Sequence, residues 1–489
     1  MSGLLLILLV AAPAIAAASA LVSNNARLAE GVNLLAAAVS LACAILLVIA
    51  AGAGRGGTWW AGYILLDVTG AWVVLCGAVV YLLASIYAIG YMRLLDEEER
   101  LPRFYALFAA FALTILAGPL MNNAGLYWIA IELTTLVSTF LVAFERDAGA
   151  MEAAWKYIIV VSAGISVALL GTVILYWGGS LVLGPTYDLT WQELRRAAPE
   201  MNPGILTLAF LLVLVGYGTK VGLAPMHTWL PDAHSESPAP VSAMLSGALL
   251  NAAMLGIVRF LSIVDAAKVG SLPRGAFIGL GLFSVLVGTL FIVRQRGVKR
   301  LMAYSSVEHM GIMALGFGFG GPLGVAGALY HMLNHSLNKS LMFFGAGNAM
   351  RAYGTKRIAG IGDVMGRMPS QGGLWLAGAA AITGAPPFGL FLSELTILRA
   401  GFHGGYDWIA WAMALLLIVI FIGFLNHFRI MYFEVEQARP AKALARLSTW
   451  CIAPMWLALL PLLAFGVWWP QGFSAYFDLV AHSLLGSQP

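Results

Sequence analysis

Charge is missing from this chain for about twenty residues at a time, and that spacing constrains the fold more than any motif does. A helix needs about 20 apolar residues to cross the hydrocarbon of a bilayer, and in lipid each backbone polar group has to be satisfied inside its own element. Apolar runs between charged or turn-rich breaks give about 14 such spans, near residues 3–22, 30–51, 68–90, 104–121, 123–143, 154–178, 205–224, 239–263, 275–293, 302–318, 325–349, 372–398, 408–428 and 450–469. Charged residues make up 10% of the chain, where a soluble domain carries about 25%. That deficit excludes a soluble enzyme, a disordered scaffold and a nucleic-acid binder. The net charge of +4 comes from few ionisable groups and marks no basic patch. Cys43, Cys76 and Cys451 are far apart in apolar runs with no CxxC pair, which argues against a disulfide framework, Fe–S ligation and structural zinc. The expected fold class is an all-α polytopic membrane protein.

The first run ends in an Ala-rich stretch of the kind signal peptidase cuts. Nothing basic precedes Arg27, so a retained helix is expected. With the N-terminus placed outside, 18 Lys and Arg fall on inner connections, 6 on outer ones, and Lys220, Arg259 and Lys339 are left over. The inner set includes Arg27, Arg93, Arg300, Arg351 and, near the end, Arg439, Lys442 and Arg446. Both termini are therefore expected on the outer, periplasmic side of a prokaryotic inner membrane. No long linker divides the chain. The expectation is a single membrane domain over 1–489, with N-terminal helices in 1–103, repeats in 104–263 and 275–432, and a C-terminal helix and tail in 433–489.

Ionisable residues inside spans are expensive and mark function by default. Glu132 stands mid-span in YWIAIELTTLVSTFL, where the plain alternative is a hydrogen bond to Thr134 or a neighbouring Ser. Lys220 stands in GYGTKVGLAP, where Gly and Pro weaken the helix and free carbonyls can line a wet cavity; its plain alternative is snorkelling to the interface. His331, His335 and Lys339 recur every fourth residue and so share a helical face. That row suits a proton wire, ordinary interhelical bonding or, least readily, a metal, because HxxxH lacks the adjacent Glu of metalloproteases. Glu394 follows GAPPFGLF, a second broken helix. Breaks in the seventh and twelfth spans, an odd number apart, imply two inverted five-helix repeats, spans 4–8 and 9–13, and a transporter-type path between them. Glu308 and His309 lie in the tenth span, with pairing to Arg300 or Lys299 as the plain alternative. Asp96 to Glu99 is read as a solvated loop and Arg259 as an anchor. No GxGxxG follows an expected strand, because no strands are expected.

The stretches HTWLPDAHSESPAPVSAMLSG (His227–Gly247), KRLMAYSSVEHMG (Lys299–Gly311), HMLNHSLNKSLMFFGAGN (His331–Asn348) and GAPPFGLFLSELTIL (Gly384–Leu398) resemble the proton-translocating, antiporter-like subunits shared by complex I, group 4 hydrogenases and Mrp antiporters. Within that superfamily the chain looks most like hydrogenase-4 component F, where Glu308 in SSVEHMG is characteristic. The chain also stops soon after its fourteenth span, without the lateral helix of the distal complex I subunit. The resemblance implies a coupling pair in Glu132 and Lys220, a central hydrophilic axis in His331, His335 and Lys339, and an exit group in Glu394. His227, His234, Asn251, Glu308, His309 and His427 are further pathway candidates. Asn251 stands where many relatives carry a bridging lysine, and Asn cannot take a proton at neutral pH.

The implied function is proton pumping in a redox-driven, hydrogenase-4-like or complex I-like assembly. The chain would hold no cofactor, metal or catalytic residue of its own. Fe–S clusters, and Ni–Fe or flavin, would sit in partner subunits, namely a peripheral redox arm beside other antiporter-like subunits and lipid. A Mrp-like Na⁺/H⁺ antiporter and a membrane subunit energising inorganic-carbon uptake are the alternatives.

Overall fold

A computed structural model describes residues 2–95, 98–434 and 448–485. Arg439, Lys442 and Arg446 lie outside the described residues, as do Asp96 and Glu97 of the acidic loop. The chain starts with a helical pair, α1 (Ser2–Ser23) and α2 (Ala26–Gly52). Next comes a hairpin of β1 (Gly57–Trp59) and β2 (Ile64–Leu66), then α3 (Val68–Met92), α4 (Leu101–Ala117), α5 (Ala124–Val142), α6 (Ala148–Leu183) and the short α7 (Trp191–Ala197). The seventh apolar run lies on α8 (Pro203–Val221), which ends at a break and is followed by the short α9 (Trp229–Glu236). The eighth is one rod made of α10 (Ala239–Met244), a π-helical turn at Leu245–Leu249 and α11 (Leu250–Ala266). Then follow α12 (Leu272–Val293), α13 (Val298–Phe319), the long α14 (Gly321–Tyr353) and the short α15 (Val364–Arg367). The twelfth run is split into α16 (Pro369–Ile382) and α17 (Gly389–His403). The chain ends with α18 (Asp407–Phe433), α19 (Thr449–Val467) and α20 (Gln471–Leu485).

The chain is a mostly helical polytopic membrane protein. Among the described residues, eleven helices are long and apolar enough to cross a membrane. The other apolar runs fall on α13, α14 and the α16–α17 pair. Buried polar rows lower the hydropathy of the first two, and a break shortens the third. Side-chain caps fix many starts: Asn25, Asp67, Asn123, Asp147 and Asn202 each accept a backbone N–H from the first turn that follows. The Asp147 cap begins α6 six residues before the apolar run, so α6 is longer than the sequence pattern implies.

Two features depart from expectation. The hairpin introduces strands, paired Gly57 to Leu66 through Trp59 to Ile64, in a chain expected to have none. The tail after α19 forms α20, which packs its rings on Trp72 of α3: Phe473, Tyr476 and Phe477 lie with centroids 5.3, 5.6 and 4.8 Å away.

The α10–α11 rod is buried except toward the C-terminal end of α11 and packs against α3, α8 and α14. It is the centre of the molecule, and polar groups on α8, α13 and α14 gather around it. Small residues permit that closeness. Gly164, Gly171 and Gly216 let α6 lie against α8, and Gly281, Gly288 and Gly311 do the same for α12 and α13.

Candidate proton-transfer site

The first cluster forms where α8 breaks. Gly222, with φ of +81°, ends α8 in a left-handed turn that favours glycine. Two residues earlier, Lys220 is fully buried and does not snorkel. Its Nζ donates to Thr135 Oγ1 at 2.8 Å and to the Tyr157 hydroxyl at 2.9 Å. Tyr157 in turn shares a 2.7 Å hydrogen bond with Ser138. Glu132 accepts from Ser162 Oγ of α6 at 2.7 Å and from Thr135 Oγ1 at 3.3 Å, while Thr134 turns to its own backbone. Among the described residues no direct ion pair joins Glu132 to Lys220. The Thr135 hydroxyl touches both, accepting from Lys220 Nζ and donating to Glu132 Oε2.

The second cluster lies across the rod. His309 Nδ1 and His331 Nε2 are 3.0 Å apart, and His331 Nδ1 is 3.0 Å from Ser393 Oγ. His335 completes a trio in which one nitrogen from each ring lies within 4.8 Å of the other two. The next group on the row, Lys339, bonds Ser305 Oγ and the Met302 carbonyl rather than another titratable side chain. The π-helical turn explains the rest. Widening one turn frees carbonyls from the helical ladder. Gly247 O accepts from Ser336 at 2.7 Å and from Asn251 Nδ2 at 2.9 Å, and Ser246 O faces His335 at 3.4 Å. Asn251 also donates to Ser336 at 2.9 Å, so it is turned onto α14.

Ser393 is followed by Glu394, which lines a cavity of about 310 Å³ with Thr383, Gly384, Leu395, Leu398 and Phe421. Gly384, with φ of +67°, sits against Glu394 Oε2, and a Cβ there would collide with the carboxylate. Glu308 is buried, and its Oε2 has no partner on the protein. Lys299 and Arg300 go elsewhere, to Ser237 O and Asp232, so the plain pairing of Glu308 with either is not seen. Glu308 is within electrostatic reach of Lys339 and Glu394.

The remaining candidates separate. His234 is buried on α9, bonds Leu230 O through Nδ1, and leaves Nε2 without a protein partner. His227 lies edge-on to Phe291 and Tyr304, which stack on each other. His427 lies apart from the histidine trio, its Nε2 2.7 Å from Ile292 O at the end of α12. Arg259 pairs with Asp67 at 3.0 Å and donates to Pro119 O. At the opposite ends of α9 and α14, Glu145 pairs with Arg351 and Lys356 with Glu236, around a cavity of about 260 Å³ that reaches the buried Lys299. Burial opposes charge on Lys356, but the Glu236 carboxylate outweighs it and holds the amine above the usual lysine range.

Among the described residues, no protein hydrogen bond joins the Lys220 cluster to the histidine trio. The buried Tyr217 hydroxyl, Asn251 Oδ1 and His234 Nε2 have no protein partners on the elements that connect the two. Polar atoms placed this way are ordinary sites for ordered water.

A family model described as NADH:quinone oxidoreductase/Mrp antiporter, TM matches residues 122–421, more than half of the chain. The chain belongs to this family. It is 41% identical over 283 residues to the hydrogenase-4 component F homolog of Methylacidiphilum infernorum (isolate V4), covering 58% of this chain and 59% of that one. It is 30% identical over 412 residues to NADH-quinone oxidoreductase subunit N of Xanthomonas euvesicatoria pv. vesicatoria, covering 83% and 82%. The aligned region spans only about half to three fifths of the length of the first curated relatives, 59% and 49% for two of them. A chain in the structure of the archaeal membrane-bound sulfane sulfur reductase superposes with a TM-score of 0.85 at 23% identity, over 98% of this chain and 97% of that one.

The NADH:quinone oxidoreductase/Mrp antiporter match includes both clusters and Glu394 but stops before His427. Sequence reasoning missed the hydroxyl groups that complete these clusters: Thr135, Tyr157, Ser162, Ser305 and Ser393. Ser393 had a signal, since it adjoins Glu394 in the broken twelfth run. Tyr157 had none, because a tyrosine near the start of an apolar run reads as an interfacial anchor.

Proposed function

We propose that this chain is a proton-translocating membrane subunit of a multi-subunit redox-driven complex of the hydrogenase-4 or complex I type. The observation that carries the reading is the buried line from His309 through His331 to Ser393, with Glu394 next in sequence. A hydrogen-bonded pair of imidazoles leading to a carboxyl beside a cavity is a means of moving protons, and it is costly to keep in a membrane for any other purpose. Each ring carries a nitrogen on either side, so it can accept a proton at one and release it at the other. The Glu132–Thr135–Lys220 bridge is the coupling element: electron transfer in partner subunits would shift the Lys220 proton, and that change of buried charge would act on the axis. Redox centres belong to those partners. Inverted repeats are supported by the matching breaks, each with a left-handed glycine, Gly222 and Gly384. On this reading the membrane is crossed 14 times within one domain, by α1–α6, α8, the α10–α11 rod, α12–α14, the split α16–α17, α18 and α19.

The test is His331→Gln, which breaks the line at its middle ring, in the assembled complex in inverted vesicles. Proton uptake driven by the redox reaction should fall by at least about 10-fold, with the subunit still incorporated. Unchanged uptake would remove the axis from the mechanism. Co-purification of iron-containing subunits is expected alongside. The family description also names Mrp antiporters, so a cation/proton antiporter is the second reading. Strict dependence of transport on sodium, with no redox partner recovered, would favour it.

Orientation follows from the charge bias, with both termini outside the cytoplasm. The three native cysteines are buried, so engineered ones report cleanly. Thr58→Cys, on the exposed β1, should react with an impermeant maleimide in intact cells. Arg296→Cys, between α12 and α13, should react only after permeabilisation. The reverse pattern would invert the topology.

A further inference from the structure

The trio His309, His331 and His335 has a geometry that proton relay does not require. A relay needs rings in series. Here three imidazoles from two helices converge, with one nitrogen from each ring within 4.8 Å of the other two. The ring centroids of His309 are 5.0 Å from His331 and 5.3 Å from His335. His331 is oriented from behind by Ser393, whose hydroxyl meets Nδ1 at 3.0 Å and leaves Nε2 facing the cluster. The outer nitrogen of a metal-bound histidine is usually held in this way. His309 Nε2 and His335 Nδ1 are buried with no protein partner, so neither ring is committed to a competing bond there. Glu394, next in sequence to Ser393, lines a cavity of about 310 Å³ between α16, α17 and α18.

We propose that His309, His331 and His335 bind a divalent transition metal of the zinc type. The ion would take the place of the hydrogen bond between His309 and His331 and leave a fourth position open. Three imidazoles with one open position is an established zinc geometry, and zinc accepts distorted sites because it has no ligand-field preference. The nitrogens at 3.0 Å are already spaced for two corners of such a site. On the reading of this axis as a proton path, an ion held there stops transfer by occupying the lone pairs the proton needs, which makes the trio a point of metal inhibition.

The test uses the full chain in detergent, with a purification tag that lacks histidine and zinc ion alone as the probe. Equilibrium dialysis with metal analysis should give one zinc per chain, and zinc-edge X-ray absorption should show three nitrogen neighbours at about 2.0 Å. His309→Gln, His331→Gln and His335→Gln should each weaken binding at least about 10-fold, while His403→Gln, at an exposed position, leaves it unchanged. Ser393→Ala keeps all three rings and should still weaken binding, so the proposal stays open to test if a Gln variant does not fold. Absence of stoichiometric zinc, or zinc that persists in the Gln variants, would overturn the site. These results separate from those on transport. Zinc bound in a chain whose pumping survives loss of the rings removes the relay and keeps the metal, and the opposite pattern does the reverse.

Discussion

Replacing Lys220 with alanine should reduce redox-driven proton uptake by about 100-fold or more, while the subunit still assembles and electron transfer in its partners persists uncoupled or slowed. The amine is fully buried, and both groups it donates to are hydroxyls, Thr135 and Tyr157. Those hydroxyls can bond to each other's neighbours when it is gone: Tyr157 to Ser138 and Thr135 to Glu132 are already in place. The fold loses one buried charge, and Glu132, left without its counter-charge, keeps the hydroxyls of Ser162 and Thr135, which is why assembly should survive. What disappears is the only titratable amine on α8. Lys220→Arg should not rescue transport, because a guanidinium stays protonated at any relevant pH and its planar fork does not match two hydroxyls on separate helices. The measurement is dye quenching in inverted vesicles, with electron transfer assayed in the same preparation. Uptake close to wild type in the alanine variant would refute the coupling role.

The largest structural effect should come from Gly216→Leu. On α8, a Cβ at this position would meet the backbone N and Cα of Ala168 on α6, and backbone cannot rotate out of the way. Overpacking of a tight site costs about 1–3 kcal/mol, and a leucine here adds three further carbons to the same contact. The expected outcome is a melting temperature lower by several degrees in detergent, with reduced yield of the assembled complex. Gly279→Leu is the matched control, because its Cβ would meet nothing within 4 Å. Equal loss in both variants would mean that hydrophobic bulk, not helix approach, is responsible. The strain also falls on function: α6 carries Tyr157 and Ser162, and α8 carries Lys220, so separating the two helices opens the Glu132–Lys220 cluster.

How much of this was legible in the sequence depends on the length scale of the signal. Membrane helices announce themselves over twenty residues, and each apolar run lies on a helix or on a broken pair of helices. The breaks after Lys220 and before Glu394 were legible because Gly and Pro act through local backbone geometry. Which groups would meet across helices was not. Thr135, Ser162 and Tyr157 become the neighbours of Glu132 and Lys220 only through packing of α5, α6 and α8. The π-helical turn at Leu245–Leu249 was not legible, since one glycine and one serine among leucines and alanine also fit an ordinary helix, and its carbonyls meet Ser336 and His335 only through packing against α14. The hairpin at Gly57–Leu66 was hidden for a different reason: three-residue strands are too short to show a period. Asn251 was read from its position as the substitute for a bridging lysine, and the structure places its amide on Ser336 and Gly247, a partner choice no pattern in α11 encodes.

The contact between His309 Nδ1 and His331 Nε2 has room for one hydrogen, held by one ring or the other. A proton arriving at the far side of His309 therefore leaves from the far side of His331, and the hydrogen between them changes owner. Both rings finish as the opposite tautomers. A second proton cannot follow in the same direction until each imidazole has turned over or the line has run backwards. On the proposed proton path, both rings would have to turn over once per stroke, and in a closely packed core that turnover would set the tempo of transfer.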